Sequence, residues 1–147
     1  MMNHILIVCV GNICRSPVAE ALLQNRLVNV IPSVVVSSAG LNALVGYPAD
    51  PMSQTLALEC GLDLSAHRAR LFTIEMAREA DLILVMTTDQ QRYIEKNVPS
   101  LCGRIHRLGK WGGFDVPDPF QRHRFIFEQS MHLMKQGVDE WYSALWN

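Results

Sequence analysis

The sequence predicts a single α/β domain built on an open parallel sheet with helices on both faces, from three observations. Short, continuous apolar runs such as Ile5-Leu6-Ile7-Val8 and Leu82-Ile83-Leu84-Val85 lack the polar alternation of a half-solvated strand and suit strands buried on both faces. Along the chain these runs alternate with segments of helical periodicity, the order that parallel strands with crossover helices require. The 147 residues are 49% hydrophobic and 18% charged, enough for one full core, and show no internal repeat, low-complexity tract or linker. One domain over residues 1–147 is expected.

The first strand, Ile5–Val8, is ended by Gly11-Asn12. Ser16-Pro17 supplies a helix start, with Ser16 at the cap, Pro17 at the first helical position and Glu20 near the positive end. Ala19, Leu22, Leu23, Arg26 and Leu27 follow at helical spacing. Val34-Val35-Val36, between Pro32 and Ser38-Ala39-Gly40, reads as a second buried strand. A loop through Gly46, Pro48 and Pro51 leads to a helix opened by Asp50-Pro51, running to about Cys60 and stopped by Gly61. A short helical stretch from Ile74 to Ala80 precedes the third strand, Leu82–Val85. Asp89 to Asn97 is helical, and Arg104 to Leu108 is the fourth strand, although only Ile105 and Leu108 are strongly apolar. The last segment repeats apolar residues at Phe127, Met131, Met134, Val138, Trp141 and Leu145, alternating steps of four and three that make an amphipathic helix.

Charge and composition remove several function classes. Thirteen Lys+Arg against 14 Asp+Glu give a net charge of −1, so no basic excess exists to neutralise a nucleic-acid backbone. No apolar run approaches the length of a bilayer span. The start, Met1-Met2-Asn3-His4, lacks the basic region of a signal peptide, and the four irregularly spaced cysteines make no disulfide scaffold, so a reducing cytoplasm is expected.

In a sheet of this kind ligands bind beyond the carboxyl ends of the strands, which directs attention to the first strand-to-helix turn, Cys9-Val10-Gly11-Asn12-Ile13-Cys14-Arg15-Ser16. Such a turn can curl so that its backbone N–H groups converge on one centre, at which the following helix aims its positive end. Gly11 permits a tight turn, and Asn12 is the non-glycine type that best tolerates the left-handed conformation. A dianionic phosphate fits this cradle, and Arg15 adds a planar fork able to take two oxygens at once. The field that holds phosphate also stabilises a thiolate at Cys9, and Ser16 can donate a hydrogen bond to the sulfur. Taken alone, Cys9 is equally compatible with a buried core cysteine and Arg15 with a solvated helix start; placement between a buried strand and a helix start favours chemistry. A Walker loop would need a Lys here, a dinucleotide fingerprint needs two more glycines, and zinc needs paired ligands that the isolated Cys60 and Cys102 do not provide. No metal is implied, because the amides and Arg15 already supply positive charge, and no cofactor is expected.

Ester cleavage also needs an acid for the leaving oxygen. Val116-Pro117-Asp118-Pro119-Phe120 provides one: prolines on both sides hold Asp118 extended, and Gly112-Gly113 lets the segment turn over the pocket. The bland alternative is an acidic residue in a proline turn.

With these elements in hand, the chain resembles the low-molecular-weight protein tyrosine phosphatases over essentially its whole length. The resemblance rests on Cys9 to Pro17, Ser38-Ala39-Gly40, Asp50-Pro51, His67-Arg68-Ala69-Arg70 and Asp118-Pro119, in the family's order. It implies a flavodoxin-like three-layer fold with a four-stranded parallel sheet. By the same resemblance Cys9 is the nucleophile of a phosphocysteine intermediate, Arg15 binds the phosphoryl oxygens, Ser16 stabilises the thiolate, and Asp118 protonates the leaving phenol and then activates water. Val10, Gly11, Asn12, Ile13 and Cys14 form the phosphate-binding loop. Asn12 is held left-handed by a network that includes Ser38 and His67, for which a strand-end cap and a satisfied core histidine are the structural alternatives. Cys14 resembles the second loop cysteine that can pair reversibly with the nucleophile, or it is simply a small buried hydrophobe. Val10, Ile13, Leu44 and Phe120 are the expected pocket walls.

A deep pocket favours phosphotyrosine over phosphoserine. Phosphoarginine phosphatases resemble this loop but tend to carry Thr where this chain has Ile13. Leu41-Asn42-Ala43-Leu44-Val45-Gly46 looks like the bacterial branch that partners tyrosine autokinases of capsule and exopolysaccharide export, which implies a phosphorylated autokinase tail as substrate; separately, a monomer or weak dimer is expected. Where the family usually reads Asp-Pro-Tyr, this chain has Asp118-Pro119-Phe120-Gln121, so regulation through that tyrosine pair is lost. Thiol-dependent arsenate reductase is rejected because 71–101 contains no cysteine. A non-catalytic phosphotyrosine-binding module would have no need of both Cys9 and Asp118, and a flavin site would have no need of Arg15. Trp111, Trp141 and Trp146 mark either a partner surface or ordinary packing.

Overall fold

The computed structural model describes residues 2–147. Its four strands, β1 (His4–Cys9), β2 (Val35–Gly40), β3 (Leu82–Val85) and β4 (Ile105–Arg107), form one parallel sheet in the order β2-β1-β3-β4. The order reverses between β1 and β3, so the carboxyl end of β1 lies at the switch point of a flavodoxin-like doubly wound sheet. Five helices cover it: α1 (Arg15–Leu27), α2 (Pro51–Glu59), α3 (Ile74–Glu79), α4 (Thr88–Asn97) and α5 (Arg124–Leu145).

The alternation of side chains along β1 builds two cores. Ile5, Ile7 and Cys9 join residues of α1, α2 and α5 on one face, while Leu6 and Val8 pack with Ala77 of α3 and Ile94 of α4 on the other. Both expected central strands, β1 and β3, are buried along nearly all of their length. The β2 expectation needs correction. The strand runs on to Gly40, and Val35 is exposed because β2 lies at the sheet edge. Apolar pattern alone stopped the strand at Val36, but Ser37, Ser38 and Ala39 continue the ladder against β1, and the two serine hydroxyls find distant partners, Ser37 Oγ lying 2.9 Å from His4 Nε2 and Ser38 Oγ accepting from Asn12 Nδ2 at 3.0 Å.

Helix ends follow local chemistry. Asp50 caps α2 by accepting from the Met52 amide at 2.9 Å, and Gly61 takes φ +79° just past its end. Thr87 and Gln90 close a reciprocal capping box on α4, so that helix starts one residue before Asp89. The start of α1 differs from expectation. Ser16 is not its cap: the helix begins at Arg15, Cys14 occupies the cap position, and no side chain caps it. Glu20 accordingly lies beyond the first turn, which contains no acidic residue. In α5 the periodic residues Phe127 to Trp141 are buried as read, whereas Leu145, at the helix's last residue, is exposed.

Candidate active site

Cys9, the last residue of β1, and Arg15, the first of α1, bracket a loop whose carbonyls are all held outward. The carbonyls of Cys9, Val10, Gly11 and Ile13 accept from the amides of Leu41, Asn42, Leu44 and Asp50 at 2.8–3.1 Å. The Asn12 carbonyl accepts from His67 Nε2 at 2.7 Å, which fixes the proton on that nitrogen, and the Cys14 carbonyl accepts from Ser53 Oγ at 3.3 Å. With its acceptors facing the surrounding chain, the loop presents its N–H groups to the concave side, together with the uncapped start of α1. This is the physical basis of an anion cradle. The segment 41–50 that draws the carbonyls outward is nowhere near it in sequence.

Asn12 holds the curl. It is fully buried with φ +58°, one of two non-glycine residues with positive φ among those described. Its amide donates to Ser16 Oγ at 2.8 Å and Ser38 Oγ at 3.0 Å, and its Oδ1 accepts from the Arg70 amide at 2.9 Å. Because Ser16 Oγ already accepts from Asn12, its own proton is free to point at Cys9 Sγ, 2.9 Å away. Ser38 and His67 thus both meet Asn12, the contacts that the family resemblance implied. Arg70 was quoted there only as part of a motif; it also donates from Nε to the Ser38 carbonyl at 2.8 Å.

Gly40 is a second residue whose role the sequence did not disclose. A Cβ there would stand 2.4 Å from the Val10 carbonyl oxygen and 3.0 Å from the Asn12 nitrogen, so only glycine lets the end of β2 approach the loop this closely.

Arg15 is buried to 3% exposure. Its Nη1 donates to the Val116 carbonyl at 2.9 Å, its Nη2 lies 3.6 Å from Asp118 Oδ2, and its buried Nε has no protein partner. A guanidinium so withdrawn from water and so incompletely paired favours an anion beside it. Asp118 is half-exposed, and its Oδ1 accepts from the Phe120 amide at 3.1 Å. Gly112 packs on the Phe114 ring, where a Cβ would meet a ring carbon at 2.7 Å, and Gly113 turns the chain with φ +70°.

These groups share one cleft of about 180 Å³. Cys9, Cys14 and Arg15 line it with Val10, Gly11, Ile13, Asn42, Leu44, Asp118 and Phe120, while Asn12 and Ser16 are fully buried and do not line it. Cys9 lies buried at the base, while Val10, Leu44 and Phe120 are partly exposed around it. Cys9 and Cys14 are free thiols; burial pushes the Cys14 thiol up, reinforced by the charges of Asp50, Asp118 and Cys9. Among the described residues no group of three or more His, Cys, Asp or Glu is placed to hold a metal ion, and no helix is long and apolar enough to cross a membrane.

The sequence model of the family described as low molecular weight phosphotyrosine protein phosphatase matches residues 4–147. The chain is 45% identical over 141 residues to the probable low molecular weight protein-tyrosine-phosphatase EpsP of Ralstonia solanacearum, covering 96% of this chain and 94% of that protein. Among solved structures it superposes on the tyrosine phosphatase amsI of Erwinia amylovora with a TM-score of 0.92 at 38% identity, covering 99% of this chain and 94% of that one. The arginine phosphatase YwlE of Geobacillus stearothermophilus shares the fold at a TM-score of 0.88 and 29% identity, with 97% and 92% covered. The chain belongs to the low molecular weight protein-tyrosine-phosphatases, a family of cysteine-dependent hydrolases.

Proposed function

We propose that this phosphatase hydrolyses phosphotyrosine in proteins through a phosphocysteine intermediate, the whole chain acting as one domain. The Cys9 thiolate attacks phosphorus, the S–P bond forms, and the bond to the phenolic oxygen breaks with transfer of the Asp118 proton to that oxygen. Asp118, now ionised, takes a proton from water as the water oxygen attacks phosphorus; the S–P bond breaks and orthophosphate leaves. The loop amides and Arg15 hold the three equatorial oxygens and match the charge that develops on them. Ser16 hydrogen-bonds the sulfur whenever it carries charge. One observation carries this reading: Cys9, Arg15 and Asp118 line the same cleft, with sulfur beside a donor hydroxyl and the carboxylate 3.6 Å from the guanidinium.

The walls favour an aromatic substrate. Ile13, Leu44 and Phe120 are apolar, and the recess above Cys9 suits a rigid phenyl phosphate better than a short phosphoserine. Ile13 where phosphoarginine phosphatases tend to carry Thr points the same way. The resemblance of Leu41–Gly46 to partners of bacterial autokinases supports a phosphorylated, tyrosine-rich kinase tail as substrate, in exopolysaccharide or capsule production in the cytoplasm.

The test is cleavage of aryl phosphates. Cys9→Ser abolishes turnover. Asp118→Asn lowers kcat/KM for phenyl phosphate by roughly 10²–10⁴-fold and spares substrates with better leaving groups. Vanadate and orthophosphate inhibit competitively, and chelators have no effect. Full activity in Cys9→Ser refutes the mechanism. Failure to dephosphorylate an autokinase tail, with good activity on other phosphotyrosine proteins, removes only the substrate assignment.

A further inference from the structure

We propose that Asp115 is the positioning residue that fixes the general-acid segment, an inference that rests on the role given to Asp118 above. One carboxylate oxygen of Asp115, Oδ1, accepts three hydrogen bonds: from the Thr88 amide at 3.1 Å, the Thr88 hydroxyl at 3.3 Å and Arg107 Nη1 at 3.1 Å. Thr88 is the first residue of α4, so the carboxylate also faces that helix's positive end, and Arg107 is the last residue of β4. A single oxygen therefore ties the segment to the carboxyl edge of the sheet at two elements.

The next residues carry that placement to the cleft. Val116 is fully buried; its amide donates to the Met86 carbonyl at 2.9 Å and its carbonyl receives Arg15 Nη1 at 2.9 Å. Pro117 then locks its own φ, and Asp118 follows beside Arg15. Upstream, Gly113 makes the turn, so Asp115 is the charged tether between a glycine-rich bend and the acid. With Asp115 nearly half-exposed, its ion pair adds little to global stability. Three donors converging on one oxygen instead define a direction for the chain.

The experiment compares kcat/KM for phenyl phosphate and for 4-nitrophenyl phosphate, because kcat/KM reports the step that breaks the P–O bond and only the poor leaving group needs a well-placed acid. Asp115→Ala is expected to lower kcat/KM about tenfold for phenyl phosphate and less than about threefold for 4-nitrophenyl phosphate. Asp115→Asn, which keeps an acceptor oxygen, falls between wild type and Asp115→Ala. Arg107→Met, reaching the tether from its other partner, shifts the ratio the same way. On an Asp118→Asn background, Asp115→Ala adds no further leaving-group-dependent loss. Equal losses on both substrates, or a full additional loss in the double variant, overturn the inference. If Asp118→Asn shows leaving-group dependence and Asp115→Ala and Arg107→Met do not, Asp115 alone loses its role. If Asp118→Asn shows none, the general-acid assignment falls and this inference with it.

Discussion

Asn12 uses both amide hydrogens on Ser16 and Ser38 and its carbonyl oxygen on the Arg70 amide, while its backbone holds φ +58°. Alanine there would leave buried partners unpaired, each costing roughly 1–3 kcal/mol. It would also bear the roughly 1–2 kcal/mol that a left-handed conformation costs an ordinary residue. Asn12→Ala is therefore expected to lose about 3 kcal/mol or more in urea denaturation, and Asn12→Gly to recover only the backbone part. Cysteine reactivity separates in the same way. Cys9 lines the anion cradle beside Ser16, whereas burial pushes the Cys14 thiol up and the carboxylates of Asp50 and Asp118 reinforce it. Iodoacetate at neutral pH should label Cys9 with orthophosphate protecting it and leave Cys14 untouched, as peptide mass mapping will show; labelling of Cys14 first would contradict this. The residue types at these positions were legible in the sequence because each is nearly irreplaceable in its chemistry. The partners that orient them, Arg70 and the Val116 carbonyl, were not, since they arrive from 58 and 101 residues away.

Glycine decides how closely two elements approach. Gly137 lies in the middle of α5, where alanine would normally gain about 1 kcal/mol of helix propensity. A Cβ there would stand 2.8 Å from the Leu108 carbonyl oxygen and 2.9 Å from Leu108 Cγ, so α5 would have to move off the end of β4. Gly137→Ala is expected to destabilise by about 1–3 kcal/mol despite its propensity, measured by chemical denaturation, with a gain in stability as the contrary result. The cap and stop of α2 and the period of α5 could be read locally, because spacing and capping chemistry lie within a few residues. The start of α1 could not. Ser16-Pro17 has the composition of a cap, but Ser16 serves Cys9 and Asn12, and the uncapped helix start is what leaves amides for an anion. The extent of β2 escaped for a related reason: its apolar run ends at Val36, and the serines beyond it are placed by the ladder to β1 and by hydroxyl contacts with His4 and Asn12.

At the scale of the molecule, stability falls on the acid side for two stated reasons. Burial, reinforced by Lys110, pulls the His106 imidazole below its ordinary range, so the folded protein keeps it neutral while the unfolded chain binds a proton. Its contribution is complete above about pH 6.5, the unfolded value, and is lost as pH falls toward the folded one. The Asn3 and His4 amides hold the Asp81 carboxyl below the usual carboxylate range, tying the start of β1 to the start of β3. That contribution is present above about pH 3.9 and is lost as pH falls further. Urea midpoints between pH 7 and 5 should flatten in His106→Gln, while Asp81→Asn should act at the more acidic end; an unchanged slope in His106→Gln would refute the first assignment. By itself the sequence determined the layered parallel architecture and singled out Cys9, Arg15 and Asp118, the residues proposed as nucleophile, phosphate fork and acid, because apolar period and side-chain chemistry are properties of short segments. Only the tertiary structure decided that six loop carbonyls turn outward, that Gly40 must lack a side chain, and that Arg15 and Asp118 stand 3.6 Å apart. Those facts depend on which distant segments pack against the loop, and packing is a relation between segments that no local pattern records.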